Sequence, residues 1–600
     1  MSIGSPPTFA SSNGVNGDMS NGLSNGHKQY SVPDESTRVF RSAILGDTRI
    51  VKDLPDGIEK AASKTHFTGS PDPSLPLNWR FAEAVSGLKG LEATLINLLQ
   101  SRKYNTELQN VTVDTDHATL FIMSAGIWTI DPGEGGLNIN AINLRAPSPQ
   151  LVKFFPSNDI YRSHGTIHRG LATNIYQCAD GRYFNLHGDM NPDAALDSVG
   201  LPRDVDYASF EEGVKRFKDA VSQIPSEELQ KQTSDKYRQS GTICYSVDEF
   251  NKSDHGQANK NVGLWEIYDK SNPSQPASWW PEIPETSQHR PLAGLKVVDL
   301  TRVIAAPAVT RGLAELGASV MRCTAPHLPD VSALHPDLNW GKWNCSLDLR
   351  RQGDRDKLRA LIMDADVVVQ GYRPGVLDKY GFGQQDVIDM CKDRERGIIS
   401  ARENCYGWHG PWQHRSGWQQ ISDAVCGVSS GFGKAMGHDE AVQPIFPHSD
   451  YCTGISGTCA ILIALMRRGE HGGSYAIDLA LNYYTTWLVN SVGEYPQEVF
   501  DKVWSEHDRK VWHSYASNTI TGPATQKKLR ENEGGKRLFK PEFFEDRSAP
   551  GVLGELKFRH IKPIAQWPPN TVEPGYKIGT RGNGVDAAYW PSDLSTEIVV

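Results

Sequence analysis

Between residues 295 and 481, short β-branched runs alternate with helical segments, and this alternation limits the architecture more than any other feature of the chain. "LKVVDLT" (295–301) reads as a buried strand. "APAVTRGLAELG" follows as a helix, with Pro307 suited to its first turn and Gly317 to its end. "SVMRC" (319–323) is the next strand. "DRDKLRALIMDA" leads as a helix into "DVVVQGY", "QDVIDMCKDRERG" leads into "IISAR", and "GSYAIDLAL" (473–481) is one more strand. Strands separated by helices are joined by crossovers and lie parallel. The pattern therefore predicts an α/β fold with a doubly wound parallel sheet. Ligands of such sheets gather beyond the carboxyl ends of the strands. "TRVIAAP" after the first strand and "GYRPG" after the third belong on that edge.

With 600 residues, 38% hydrophobic and 22% charged, the chain is expected to be globular and to hold more than one core. The Pro-, Ser- and Trp-rich stretch "DKSNPSQPASWWPEIPETSQHRP" is the natural boundary between a block over 76–285 and the regular region after it. Residues 1–75 are expected to form a largely disordered tail, because the Ser/Asn/Gly-rich start buries too little to offset chain entropy. A net charge of −9 and a pI near 6.1 argue against a nucleic-acid surface. Nine scattered cysteines, with no CxxC and no Cys/His spacing suited to zinc, read as reduced thiols. No run offers the roughly 20 consecutive apolar residues of a membrane span. Neither a secretory nor a transit peptide is visible, and "LSTEIVV" is no peroxisomal tripeptide, so cytoplasm is the expected location.

Two segments repeat weakly. "SGLKGLEATLINLLQSRKYNTELQNVTVD" (86–114) and "DYCTGISGTCAILIALMRRGEHGGSYAID" (450–478) align at an offset of 478 − 114 = 364. Each reads as a Gly-rich start, an apolar helix, a polar turn and a strand ending in Asp. Asp450 falls on Ser86, so the earlier copy lacks the carboxylate.

Asp450 has two readings. Beside Ser449 it could cap the helix by accepting hydrogen bonds from the first free N–H groups, worth about 1 kcal/mol. Against that, "ILIALM" is apolar on all sides, which places the helix start inside the protein. A carboxylate there is favoured as an anion by the helix field, and Gly454 and Gly457 allow a close approach. That setting suits a nucleophile. Other motifs carry less. Gly427, Ser429 and Gly431 match GxSxG, but a helical segment precedes them and a loop is expected after, where an elbow needs a strand and then a helix. No P-loop or dinucleotide fingerprint stands in a strand–turn–helix context. The histidines at 409, 414, 438 and 448 show no metal-binding periodicity, and surface or hydrogen-bonding roles are expected of them.

The motifs "RPLAGLKVVDLTRVIAAPAVTRGLAELGASVMRC", "GKWNCSLDLR", "ADVVVQGYRPGVLDKYGFG" and "SDYCTGISGTCAILIALMRRG" resemble, in order and spacing, the family III CoA-transferases. That group includes formyl-CoA and carnitine CoA-transferases and the related α-methylacyl-CoA racemases. The resemblance covers about residues 290 to 485. Residues 160–250, with "HRGLATNIYQCADGRYFNLHG", resemble the family's small domain, which here precedes the large domain instead of following it. The fold implied is a Rossmann-like large domain over 286–490, a smaller α+β domain and a degenerate large-domain segment within 76–285, and a C-terminal segment, 491–600, returning to the large domain.

The resemblance implies that Asp450 attacks an acyl-CoA thioester, forming an acyl–aspartyl anhydride and then an aspartyl–CoA thioester. It implies that Arg302, Val303, Ala305, Lys342, Tyr372, Arg373 and Lys379 line the CoA slot. Coenzyme A enters as a substrate, a carboxylic acid is the acceptor, and no metal, nucleic acid or membrane is implied. Relatives form interlocked dimers, an arrangement that either a homodimer or the rearranged single chain could provide. Three positions depart from the pattern: Trp418 stands where racemases carry histidine, Gln419 where an acid is common, and Thr324 where Glu is usual. Moving a proton across a carbon takes two opposed acid–base groups, so Trp418 lowers the racemase alternative. A non-catalytic acyl-CoA binder is the other alternative.

Overall fold

A computed structural model describes residues 29–141, 148–163 and 165–600. The strands of its main sheet, numbered along the chain, are β1 (Glu266–Lys270), β2 (Lys296–Leu300), β3 (Ser319–Thr324), β4 (Lys342–Ser346), β5 (Val367–Gln370), β6 (Ile399–Asn404) and β7 (Ser474–Ala480). Their spatial order is β4-β3-β2-β5-β6-β7-β1. All neighbours pair parallel except β1, which runs antiparallel to β7. The α/β architecture is thus the doubly wound one that the alternation predicts, with one added edge strand. Two strands escaped that reading for local reasons. β4, "KWNCS", carries no β-branched residue, and β1 pairs with a strand far along the chain, which a local pattern cannot show.

Strand order reverses between β2 and β5, so the loops after these two strands diverge and open a crevice at their carboxyl ends. Helix α2 (Ala305–Glu315) leaves the first loop. Helix α4 (His448–His471) packs against it at unusually close range. A Cβ on Gly454 would come within 2.5 Å of the Ala308 Cβ, and one on Gly457 within 2.6 Å of Val309 Cγ2. No side chain fits at either position, so the glycines bring the start of α4 down onto the crevice. By length and hydropathy α4 could cross a membrane, but that window is entirely buried within the protein.

Helix α1 (Phe81–Tyr104) is 24 residues long, as α4 is, and each leads to a strand, Val111–Asp114 after α1 and β7 after α4. The repeat seen in sequence therefore has a structural counterpart. The two helices pack together through one core that includes Leu91, Leu95, Ile461 and Leu465. Residues 29–75 are not disordered: they form the helix Val32–Arg38, further helical turns and the strand Thr65–Thr68 around α1. Val39, Phe40 and Ile44 are buried there, so apolar residues past the polar start do enter the core. The disorder expected for residues 1–28 lies outside the described residues.

A separate antiparallel sheet (Asn174–Gln177, Tyr183–Leu186, Gly241–Ile243) has its own core of Tyr176, Phe184 and Phe217. It docks on helix α3 (Gln419–Val425): Asn185 Nδ2 donates to the Gln420 carbonyl at 2.8 Å, and the Tyr245 N–H to that of Ala424 at 2.9 Å. From the far end of the chain, Ile578, Leu594 and Val599 join the core formed by Val298, Met321 and Trp343.

Candidate active site

At the crevice the chain leaves β2 through Arg302 and Val303. Val303 has φ +70°, a left-handed conformation that costs a β-branched residue on the order of 1–3 kcal/mol. Strain of this kind persists only where the surroundings fix it, and here it aims the loop into a cavity of about 290 Å³. Arg302, Val303, Ala305, Tyr372 and Arg373 all line that cavity together with Asp450. The Arg302 guanidinium sits 4.9 Å from the Tyr372 ring and donates to the Pro329 carbonyl at 2.7 Å. Arg415, which sequence reasoning missed, is a third cation lining the cavity and is held 3.3 Å from Asp235.

Asp450 lies in the first turn of α4 and retains 9% of its surface. Neither it nor Ser449 caps the helix: the residue before the first turn is Pro447, no side chain bonds the free N–H groups, and Ser449 Oγ is buried without a partner. Among the described residues the Asp450 carboxylate makes no hydrogen bond. It opens on the cavity of Arg302 and also on a second, apolar cavity of about 230 Å³. Burial pushes its pKa up to about 8. Glu403, at the end of β6, and Asp423, on α3, stand close enough that each is raised well above the carboxylate range, by burial first and by Asp450 second for Glu403. Asp423 receives a very short hydrogen bond from Gln419 Nε2.

Asp189 lines both cavities and comes from the small antiparallel unit. Trp418 Nε1 donates to it at 2.5 Å and Arg373 lies 3.2 Å away. Burial works against its charge, but the His187 ring and Arg373 beside it hold its carboxyl below the usual range. This aspartate fixes Trp418 and joins the small unit to the crevice. In sequence it follows "NLHG" with nothing to distinguish it from a turn residue.

Two expected slot residues stand elsewhere. Lys342 has no exposed surface, and its ammonium turns inward to Asp299 Oδ2 (3.0 Å), Thr310 Oγ1 (2.7 Å) and the Pro307 carbonyl (2.9 Å). It braces β2 against α2 and cannot meet a ligand. Lys379 is exposed, lies over the Tyr380 ring at 4.9 Å and lines neither cavity. Thr324 is likewise buried at the end of β3. Ser429 is no nucleophile: helix α3 precedes it, Gly427 begins another helix, Val428–Ala435, where a loop was expected, and the serine is fully buried. His409 pairs with Glu266 at 2.8 Å, and His448 stacks on Phe81 at 3.7 Å. Among the described residues no group of three or more His, Cys, Asp or Glu is arranged to hold a metal ion.

In this α/β protein the switch-point crevice brings three arginines, Arg302, Arg373 and Arg415, and three carboxyl groups, Asp189, Glu403 and Asp450, to one cavity, with an apolar cavity sharing Asp450 and Asp189. The profile of CoA-transferase family III matches residues 292–511. An acetyl-coenzyme A transferase, nodX of Hypoxylon pulicicidum, is 47% identical over 575 residues, 95% of each chain. An acyl-CoA transferase of Gibberella moniliformis is 32% identical over 80% of this chain and 83% of its own. Among solved structures, Rv3272 of M. tuberculosis is 28% identical, with a TM-score of 0.31 over 33% of this chain and 56% of its own. The chain belongs to CoA-transferase family III.

Proposed function

We propose that this enzyme moves coenzyme A from an acyl-CoA thioester to a carboxylic acid, with Asp450 as the nucleophile. The observation that carries the reading is the free state of the Asp450 carboxylate: it lies at a helix start without capping it and opens on both cavities. The Asp450 anion attacks the thioester carbonyl, the C–S bond breaks, and CoA leaves as a thiolate, giving an acyl–aspartyl anhydride. The thiolate then attacks the aspartyl carbonyl and releases the donor acid, leaving an aspartyl–CoA thioester. The acceptor carboxylate repeats the two steps in reverse order, so no water is consumed and the carboxylate is regenerated. Anhydride and thioester are both activated acyl groups, and neither half-reaction is a trap. Trp418, which lines the same cavity, offers no acid–base group to pair with Asp450, which disfavours racemisation.

Arg302, Arg373 and Arg415 would receive the phosphates of CoA. Arg302→Ala is expected to raise KM for acyl-CoA by about 10- to 100-fold, the worth of one charge-assisted hydrogen bond, while kcat stays within about threefold. Steady-state kinetics against acyl-CoA at saturating acid measure this. A loss confined to kcat would place the arginine at the reacting carbonyl instead.

The pKa of Asp450 sets a pH dependence. The anion is the reactive form, and burial leaves it the minority species below about pH 8. In the free enzyme kcat/KM for acyl-CoA should therefore climb about tenfold per pH unit on the acid side and level off above pH 8. Single-turnover release of CoA thiol, followed across pH, gives the profile. A flat profile from about pH 6 to about pH 9 would count against an Asp450 nucleophile held neutral by burial.

A further inference from the structure

The apolar cavity behind Asp450 is built mostly from parts of the chain outside residues 292–511. Ile122, Met123 and Gly126 come from the segment after α1, and Gly522, Pro523 and Gln526 from helix α5 (Asn518–Glu531). Among the described residues no lysine or arginine lines it, and its one histidine, His187, is engaged by Asp189 at 3.2 Å and by the Gln420 side chain at 3.2 Å. Its only carboxyl groups among the described residues are those of Asp450 and Asp189, and Asp189 is already committed to Trp418 and Arg373. The rest of its polar lining is neutral and includes the side-chain amides of Gln419, Gln420, Asn518 and Gln526 and the hydroxyl of Thr519. A second carboxylate on a substrate would meet no free counter-charge among these residues and would lose its hydration.

Resting on the transfer reading above, we propose that the acid activated at Asp450 is a bulky apolar monocarboxylic acid. Its chain lies in the cavity between the post-α1 segment and α5. In the anhydride, the acid's carbonyl is bonded to Asp450 and its apolar body fills the cavity. CoA thiolate breaks that acyl–oxygen bond, forms the new thioester and frees the aspartate.

The test offers the purified full-length enzyme acetyl-CoA with acids of rising apolar size, from butyrate through octanoate to dodecanoate, and with succinate, malate and oxalate. New thioesters are read by mass spectrometry. In a parallel arm, exchange of labelled acetate into acetyl-CoA reads transfer with acetate as the only acceptor. We expect kcat/KM to rise by about fourfold per methylene until the cavity is full, with the dicarboxylates at least about 100-fold below octanoate. Gly522→Leu should move the optimum to shorter acids, since Gly522 lines the cavity and a Cβ there meets nothing nearer than the Ile445 carbonyl at 3.8 Å. Circular dichroism melts verify that the variant is folded. Labelled-acetate exchange with dicarboxylates or butyrate preferred would overturn the apolar-acid assignment and leave the transfer reading standing. Absence of labelled-acetate exchange and of every product would overturn the transfer reading on which the assignment rests.

Discussion

Asp450→Ala is expected to lower CoA transfer by roughly four to six orders of magnitude, the loss that follows removal of an essential nucleophile from an otherwise intact site. Asp450→Asn should lose activity equally and gain stability. The sign follows from the shift: burial raises the folded-state pKa from 3.8 to about 8, so the protonated form is the one the fold favours. The stability it contributes is complete below the unfolded value and is lost as pH rises through about 8. An amide has the same shape and no charge to bury. At pH 8 the Asn variant should therefore exceed the parent by about 0.5–2 kcal/mol in urea unfolding, and the gain should vanish toward pH 4. An inactive variant with that pH-dependent gain would mark a carboxylate kept for chemistry at the expense of the fold. A variant less stable at every pH would mark a structural one.

Lys342→Met should have its large effect on stability and a small one on CoA affinity. The lysine ammonium holds Asp299, which is itself fully buried between β2 and α2. Removing one partner of such a pair leaves an uncompensated charge and costs about 3–5 kcal/mol. Adding Asp299→Asn should restore part of the loss, because the orphaned carboxylate is then gone. Chemical unfolding of the two variants and calorimetry of CoA binding to the folded fraction separate the roles. A normal unfolding midpoint with CoA affinity lost would return Lys342 to the ligand site.

The contrast between these two residues indicates what the sequence could reveal. The α/β alternation was legible because β-branched strands and capped helices are local patterns. The positions of Arg302, Val303, Tyr372 and Arg373 were legible because loops after parallel strands share one edge. Lys342 was not, since whether a lysine at a strand start points to the edge or to the core depends on the packing of α2, which carries Thr310 and Pro307 to meet it. Lys379 failed for the related reason that its turn faces solvent. Arg415 was invisible because it stands well past the end of β6, in the loop before α3, with no local pattern to mark it. Asp189 was invisible because it reaches the crevice only through docking of the small antiparallel unit on α3. The apolar cavity was hidden for the same reason, its walls coming from segments about 400 residues apart in the chain, near 122 and near 522. Residues 29–75 were misread because a polar leading stretch masked the Val39, Phe40 and Ile44 cluster that packs on α1.

The nucleophile itself is tested most directly by trapping. The enzyme is incubated with acyl-CoA and no acceptor, quenched with hydroxylamine, digested and mapped by mass spectrometry. Asp450 should be converted to the hydroxamate, only when acyl-CoA was present, and Glu403 and Asp423 should remain unmodified. Transfer that proceeds while the hydroxamate appears on Glu403, or on no carboxylate at all, would show that the covalent intermediate does not form at position 450.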